Sequence, residues 1–334
     1  MLTNLLKYNK YMATVKTKFR KSSVRDSEYY KPGGYISYAR YVIERLMAAG
    51  KPVAVKYASS LRSFIRFNGD VEVSFSRFDA NLMSAYETWL RESGKSRNTT
   101  SYYLRNLQAI YNRAADDGLV GHGANPFRRV YTGVDLTVKR ALPISVIRRI
   151  RDADLTLYPQ IAYARDMFMF SFCTRGMSFV DMAYLRPCNL QDDMLSYRRK
   201  KTGRLVVVKW NREMEEIVSR YASRSTNYLL PIVTAEDTRL AHRQYITATQ
   251  CINRRLQRLA RMLGISTNLT MYVARHSWAT AAKASDIPVS TISRCMGHES
   301  EKTTYIYLST IDTSDVDRAT DVVIRSLYEK KNNG

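Results

Sequence analysis

The sequence predicts a mainly α-helical fold with one small β-sheet, an α+β architecture divided between two domains. Its 334 residues suffice for two domains at the usual ~150 residues each. Most segments repeat apolar residues at the three- and four-residue steps of amphipathic helices. The region 194–210 instead reads as two short strands around Lys201-Thr202-Gly203, which predicts a β-hairpin. Hydrophobic residues at 45% and charged residues at 25% are ordinary globular values and exclude wholesale disorder.

A basic segment, residues 1–32, precedes the first domain. Its first 25 residues hold seven basic residues and no acidic one. Lys16 and Lys18 alternate with Val15 and Thr17, which is the pattern of a strand with one cationic face. Two interpretations stay open, a solvated tail and an arm that touches phosphates.

Residues 33–118 are predicted to form a domain of four helices. Asp79 and Ser96 are placed to cap two of them, and a glycine follows each helix, as at Gly118. The helices are expected at 35–49, 54–67, 80–92 and 98–116.

A glycine-rich stretch without clear periodicity, 119–142, is predicted to be a linker to a second domain at 143–313.

The terminal segment 314–334 carries apolar residues at helical steps, including Val316 and Val323. This last helix is expected either to dock on a neighbouring protomer or to pack on its own domain. Besides the hairpin, helices of the second domain are expected at 145–153, 157–173, from 212, and at 238–263, 272–284, 288–296 and 301–308.

The charge balance indicates a polyanionic partner. A formal charge of +23 and a pI near 9.9 are typical of proteins that bind DNA or RNA. No apolar stretch of 18 residues is present, so a membrane span is not expected. Four scattered cysteines do not make a disulfide framework, which predicts a reducing compartment, the cytoplasm.

Basic residues on several predicted elements are candidates for contacts with DNA. Some lie on the fourth helix, some on the hairpin, and some on the helix 238–263 opposite an apolar stripe. The predicted DNA-binding residues are Lys16, Lys18, Arg97, Arg105, Arg113, Arg199, Lys200, Arg254 and Arg258.

The sequence supports phosphate chemistry that uses neither a metal nor a nucleotide cofactor. Cys295 and His298 are an isolated pair without a second half at zinc spacing, and no phosphate-binding G-x-x-x-x-G-K-[ST] loop occurs. Negative charge on a reacting phosphate must then be met by Arg, Lys and His, and the nucleophile must be a side chain. No cofactor is therefore expected.

Four motifs in the second domain occur in one order: CTRG ending at Gly176, the hairpin KTG, YVARHSWAT around Arg275, and MGHESEKTTYIY ending at Tyr307. Together they resemble the tyrosine recombinase (phage-integrase) family across the whole second domain. The four-helix domain is similar to the core-binding, SAM-like module of that family. The resemblance implies a helical domain and a mixed catalytic domain that close on duplex DNA as a C-shaped clamp.

The resemblance also implies roles for single residues. Arg175 and Arg275 match the two arginines that hold the scissile phosphate, and His298 matches the histidine that adds a hydrogen bond. Lys201 matches the lysine that protonates the departing 5′ oxygen. Tyr307, nine residues after His298, matches the nucleophile.

Each of the last two assignments has a rival. Lys200 adjoins Lys201, but neighbouring strand residues point to opposite faces, so only one reaches the site. Tyr305 lies two residues before Tyr307, and two helical positions differ by about 200°. The family spacing favours Lys201 and Tyr307.

Two positions depart from the family pattern. Tyr272 stands where the family has a histidine, and it offers one hydrogen bond but no positive charge at neutral pH. Ser178 stands where the family has a carboxylate, and nearby Asp181 is a candidate brace for Arg175 or for its helix.

The predicted function is site-specific DNA recombination through a 3′-phosphotyrosine intermediate, in integration, excision or inversion. The predicted partners are duplex DNA with specific sites, a homotetramer on DNA formed from free monomers, and accessory DNA-bending proteins. A bacterial, nucleoid-associated cytoplasmic location follows from the resemblance. The alternatives are relaxation of DNA as a type IB topoisomerase and non-catalytic DNA binding on the same fold.

Overall fold

The structure is a computed structural model that describes residues 33–121, 125–135, 141–224 and 227–308, except the side chains of Ile306 and Tyr307. Its contacts divide the chain into two compact units, Met1–Leu136 and Thr137–Gly334. The predicted basic arm with Lys16 and Lys18 lies outside the described residues, as does the predicted helix in 314–334.

The described part of the first unit contains the four predicted helices, with ends that agree to within a residue. Their caps explain this agreement: Asp79 accepts a hydrogen bond from the backbone N–H of Leu82 at 2.8 Å, and Ser96 accepts one from Thr99 at 3.3 Å. The helices are α1 (Tyr35–Ala48), α2 (Val53–Asn68), α3 (Ala80–Glu92) and α4 (Arg97–Asp116).

Aromatic rings form the centre of the first unit. Tyr35 stacks on Phe78 with ring centroids 3.8 Å apart, and its hydroxyl donates to the carbonyl of Leu107 at 2.8 Å. Phe127, which the sequence assigned to the linker, is 4% exposed and packs against Phe78 and Tyr111. Burial of this ring joins the described residues 125–135 to the first unit.

The second unit is built around one buried helix, α6 (Pro159–Cys173). Met167, Phe168 and Phe170 are buried on it, and α6 contacts four other helices of the unit. The remaining helices are α5 (Ile144–Arg151), α7 (Phe179–Ala183), α8 (Arg212–Tyr221), α9 (Thr238–Met262), α10 (Met271–Ala284), α11 (Val289–Cys295) and α12 (Glu301–Leu308).

The predicted hairpin is confirmed within a three-stranded antiparallel sheet. The strands are β1 (Leu190–Gln191), β2 (Met194–Arg198) and β3 (Leu205–Lys209), in the order β1-β2-β3. Leu195 pairs with Val208 and Tyr197 with Val206, and these four side chains are buried. The opposite face carries the exposed side chains of the sheet, so the sheet covers the core with one face only.

No helix within the described ranges is both long and apolar enough to cross a lipid bilayer.

Candidate active site

The site begins where α6 ends. Thr174 is buried and its hydroxyl donates to the carbonyl of Phe170 at 2.7 Å, which closes the last turn. Arg175 and Gly176 then adopt left-handed backbone angles, with φ of 61° and 76°. This conformation costs a non-glycine residue about 1 kcal/mol. It turns the half-buried Arg175 towards the sheet, where Nη1 donates to the carbonyl of Val207 at 3.2 Å.

Gly176 allows the turn to lie directly against α10. A Cβ atom on Gly176 would lie 2.7 Å from the Cα of Arg275, closer than real Cβ atoms approach. Arg275 is 4% exposed, and its guanidinium donates to the carbonyls of Gly176 at 2.6 Å and Met296 at 2.7 Å. The two predicted catalytic arginines therefore stand on adjoining segments, and one of them is fixed by two main-chain acceptors.

His298 joins this pair of arginines. Its Nε2 lies 2.9 Å from Nη2 of Arg275, and its Nδ1 lies 2.7 Å from Oγ1 of the buried Thr304 on α12. A guanidinium only donates hydrogen bonds, so Nε2 accepts and the ring hydrogen is on Nδ1.

The surroundings of His298 keep its ring neutral. Burial lowers its pKa to about 4, and the positive charges of Arg275, Arg199, Lys201 and Arg204 act in the same direction. The hairpin with Lys201 contacts the turn of this histidine, because Arg204 donates to the carbonyl of His298.

The hairpin turn separates the two rival lysines. The ammonium of Lys200 lies 3.6 Å from the ring centroid of Tyr184, and its backbone N–H donates to Asp181 at 2.8 Å. Lys201 is exposed at the tip. This geometry supports Lys201 as the lysine that reaches a substrate.

Asp181 does not brace Arg175 through any hydrogen bond or ion pair found in the described residues. It is 5% exposed and accepts a hydrogen bond from the hydroxyl of Ser178 at 2.6 Å as well as from the N–H of Lys200. Its carboxylate therefore ties the start of α7 to the lysine hairpin.

The placement of Arg199 contradicts its predicted contact with DNA. Arg199 is 8% exposed, and its Nη1 donates to the carbonyl of Gly297 at 2.6 Å. Leu195 and Tyr197 lie on the buried face of β2, and Arg199, directly after the strand, continues this two-residue period of burial, which was the signal available in the sequence.

Two candidate tyrosines lie at the surface: Tyr272, which stands at the histidine position of the family, and Tyr305, the rival of Tyr307. Tyr272 is 56% exposed and its ring lies nearly perpendicular to that of His276, with ring centroids 4.6 Å apart, while Tyr305 is 55% exposed. The backbone of Tyr307 belongs to α12, and its side chain is outside the described part of the chain.

The other candidate DNA contacts lie on two exposed helical surfaces, one in each unit. In the first unit, Arg105 and Arg113 are exposed, whereas Arg97 already lies 3.5 Å from Asp135 and 3.9 Å from the ring of Tyr131. In the second unit, α9 carries six arginines and no acidic residue, and its Arg254 and Arg258 are exposed.

Sequence-family models identify both units. Residues 35–130 match the phage integrase SAM-like domain, and residues 145–313 match the phage integrase family. The chain belongs to the phage integrase family, the tyrosine recombinases. A search of curated protein sequences found no significant match.

Solved structures of recombinases share the fold of this family member. The Tn1549 transposon integrase in complex with transposon right end DNA is 12% identical, covering 87% of this chain and 99% of that chain with a TM-score of 0.63. The XerH site-specific recombinase bound to a palindromic difH substrate is 14% identical, with coverage of 86% and 84% and a TM-score of 0.63. A lambda integrase tetramer bound to a Holliday junction is 12% identical, with coverage of 89% and 85% and a TM-score of 0.62.

Proposed function

We propose that this tyrosine recombinase is a site-specific DNA recombinase that cleaves and rejoins strands through a 3′-phosphotyrosine, without metal or ATP. The observation that carries the proposal is the contact of Arg275 with His298 and with the turn that bears Arg175. The hairpin of Lys201 is hydrogen-bonded to the turn that bears the same histidine. Fixed cationic donors around one point are what a pentacoordinate phosphate transition state requires.

Arg175 and Arg275 are proposed to hold the non-bridging oxygens of the scissile phosphate. His298 contributes a further hydrogen bond, for which its Nε2 must carry the hydrogen that Nδ1 carries in the DNA-free protein. The hydroxyl of Thr304 both accepts and donates, so the ring keeps this partner in either tautomer. Tyr272, exposed beside the start of α10, is proposed to donate one more hydrogen bond from its phenol.

The chemical step is a transesterification. The phenol oxygen of Tyr307 gives its proton to solvent water and attacks phosphorus, while the bond from phosphorus to the 5′ oxygen breaks. Lys201 gives a proton to the departing oxygen, which leaves as a 5′-hydroxyl. Because the bond energy stays in the phosphotyrosine, a 5′-hydroxyl of another strand reverses the step and joins the strands.

The two units are proposed to share the binding of duplex DNA. The exposed arginines of α4 supply the first surface and those of α9 the second, through phosphate contacts. We further propose that free monomers assemble as a homotetramer on specific sites in a bacterial cytoplasm, where accessory DNA-bending proteins assist. The outcome is integration, excision or inversion of a segment.

A nicked suicide duplex taken from DNA beside the gene tests this proposal. The native protein is expected to accumulate a covalent adduct, because the released fragment diffuses away and religation is blocked. The variant Tyr307→Phe is expected to form no adduct, and Tyr305→Phe is the matched control that keeps it.

Other outcomes distinguish the alternatives. An adduct lost in Tyr305→Phe but kept in Tyr307→Phe would make Tyr305 the nucleophile. Sequence-independent relaxation of supercoiled plasmid without strand exchange would indicate a topoisomerase. Binding without any adduct would indicate a non-catalytic protein.

A further inference from the structure

The hairpin that carries Lys201 is closed at its base by two arginines. The backbone N–H of Arg199 donates to the carbonyl of Arg204 at 2.9 Å, and the N–H of Gly203 donates to the carbonyl of Arg199 at 2.7 Å. The turn between them holds Lys200 and Lys201. These two backbone hydrogen bonds connect the tip of the hairpin to its base.

Both arginines reach across to the turn that bears His298. Nη1 of Arg199 donates to the carbonyl of Gly297 at 2.6 Å, and Nη1 of Arg204 donates to the carbonyl of His298. Two successive carbonyls of that turn thus each bind one arginine of the hairpin. The lysine and the histidine are thereby held on one connected frame.

Gly297 fits this frame because it lacks a side chain. Its φ is 62°, and a Cβ atom there would lie 2.8 Å from Cδ of Arg199 and 2.7 Å from Cγ2 of Val206. The stem of Arg199 therefore packs on the glycine of the Gly-His dipeptide. This close contact leaves the buried guanidinium little freedom to turn away.

Asp181 holds the other side of the hairpin. Its carboxylate lies 4.0 Å from Nε of Arg199 and accepts the N–H of Lys200. Within the described residues Nε of Arg199 makes no hydrogen bond, so the ion pair with Asp181 is its electrostatic compensation. The hairpin is thus anchored on one side to α7 and on the other to the Gly297–His298 turn.

We propose that Arg199, together with Arg204, is a positioning residue that locks the lysine hairpin onto the Gly297–His298 turn and so holds Lys201 where it protonates the leaving 5′ oxygen. The inference rests on the proposed function, because it assigns these arginines to the leaving-group step. The sequence alone placed Arg199 on DNA, and burial excludes that contact.

A substrate that needs no protonation isolates this role. In a suicide duplex with a 5′-bridging phosphorothiolate, a thiolate leaves, and it departs without a general acid because thiols ionise near pH 8.5. Cleavage of this duplex is compared with cleavage of the ordinary phosphodiester for the native protein, Arg199→Met, Arg204→Met and Lys201→Ala. Arg198→Met is the matched control, since Arg198 is exposed on the same hairpin and, among the residues that the structure describes, its side chain donates only to the carbonyl of Gly203.

Arg199→Met is expected to cleave the phosphodiester about 100-fold more slowly, the lower range of a general-acid contribution. Its rate on the phosphorothiolate is expected to be close to native, as for Lys201→Ala. Arg204→Met is expected to show the same pattern with a smaller loss, and Arg198→Met a native pattern. Arg199→Lys, which keeps one donor for Gly297, is expected to recover part of the rate.

Equal loss of Arg199→Met on both substrates would overturn the proposal, because it would show damage beyond the leaving-group step. A native rate of Arg199→Met on the phosphodiester would do the same. If far-ultraviolet circular dichroism shows that Arg199→Met is unfolded, the surface variant Arg204→Met decides. A slow rate on the phosphodiester with a near-native rate on the phosphorothiolate would support the proposal. A native rate on the phosphodiester, or an equally slow rate on the phosphorothiolate, would refute it. Failure of the native protein to form any adduct would instead refute the proposed function.

Discussion

At the scale of single residues, the protonation state of His298 is set by its surroundings. Burial and four neighbouring cations lower its pKa to about 4, against about 6.5 when exposed. The folded protein therefore holds His298 neutral where the unfolded chain binds a proton.

The first prediction concerns pH and stability. Between about pH 6.5 and 4 the unfolded state binds the extra proton, so the contribution of His298 to folding falls as pH falls through this range. Each unit of pKa depression corresponds to about 1.4 kcal/mol. Denaturant unfolding from pH 4 to 8 is expected to show a smaller acid-induced loss of stability in His298→Gln than in the native protein. An equal loss of stability in the two proteins would contradict the lowered pKa of His298.

The second prediction concerns the partner of His298. Thr304→Val leaves the N–H of a buried imidazole without its acceptor, which costs about 1–3 kcal/mol. Thr304→Ser keeps the hydroxyl and is expected to retain most of the stability. The neighbouring, half-buried Thr303→Val is the control, expected to change the free energy of unfolding by roughly 0.5 kcal/mol or less. An unchanged urea midpoint in Thr304→Val would refute this role.

The third prediction separates backbone strain from close packing. Gly176 and Gly264 both have left-handed φ, 76° and 63°, but an added Cβ would meet neighbours within 4 Å only at Gly176, where they are the atoms of Arg275. Gly264→Ala is expected to cost about 1 kcal/mol from strain. Gly176→Ala is expected to cost more and to slow cleavage, since α10 must move. Equal effects of Gly176→Ala and Gly264→Ala in unfolding and cleavage assays would show that the contact between Gly176 and Arg275 is unimportant.

At the scale of elements, the sequence predicted the long helices well and the short elements poorly. Amphipathic periodicity with caps at Asp79 and Ser96 located α3 and α4 almost to the residue. Helix α7 has five residues and β1 has two, too few for a period to be recognised. Whether a side chain such as Arg199 meets DNA or a main-chain carbonyl depends on tertiary contacts that local pattern does not contain.

The fourth prediction belongs to α9, whose exposed face is cationic. The slope of log affinity against log salt concentration is about −0.9 per phosphate neutralised. Arg254→Gln and Arg258→Gln are each expected to make this slope shallower by roughly 0.9. Arg212→Gln is the control of equal charge change, because exposed Arg212 already pairs with Glu216 at 2.7 Å on α8. If the slope changed as much in Arg212→Gln as in the α9 variants, it would depend only on the net charge of the protein.

At the scale of the whole molecule, the excess of positive charge and the order of the motifs carried the functional prediction. The charge of +23 indicates the class of partner, and Arg175, Lys201, Arg275, His298 and Tyr307 follow in the order of the family. Contacts that assemble the site, such as Gly176 on Arg275 and Arg199 on Gly297, join residues about a hundred positions apart. Such pairs are set by folding, so one sequence without its structure does not reveal them.

Identification of the bond between protein and DNA tests the proposed function most directly. The adduct trapped on a suicide duplex is to be digested with protease and nuclease and analysed by tandem mass spectrometry. We expect a nucleotide joined through its 3′ phosphate to the phenol oxygen of Tyr307. A bond to another residue, or a 5′-phosphate linkage, would contradict it.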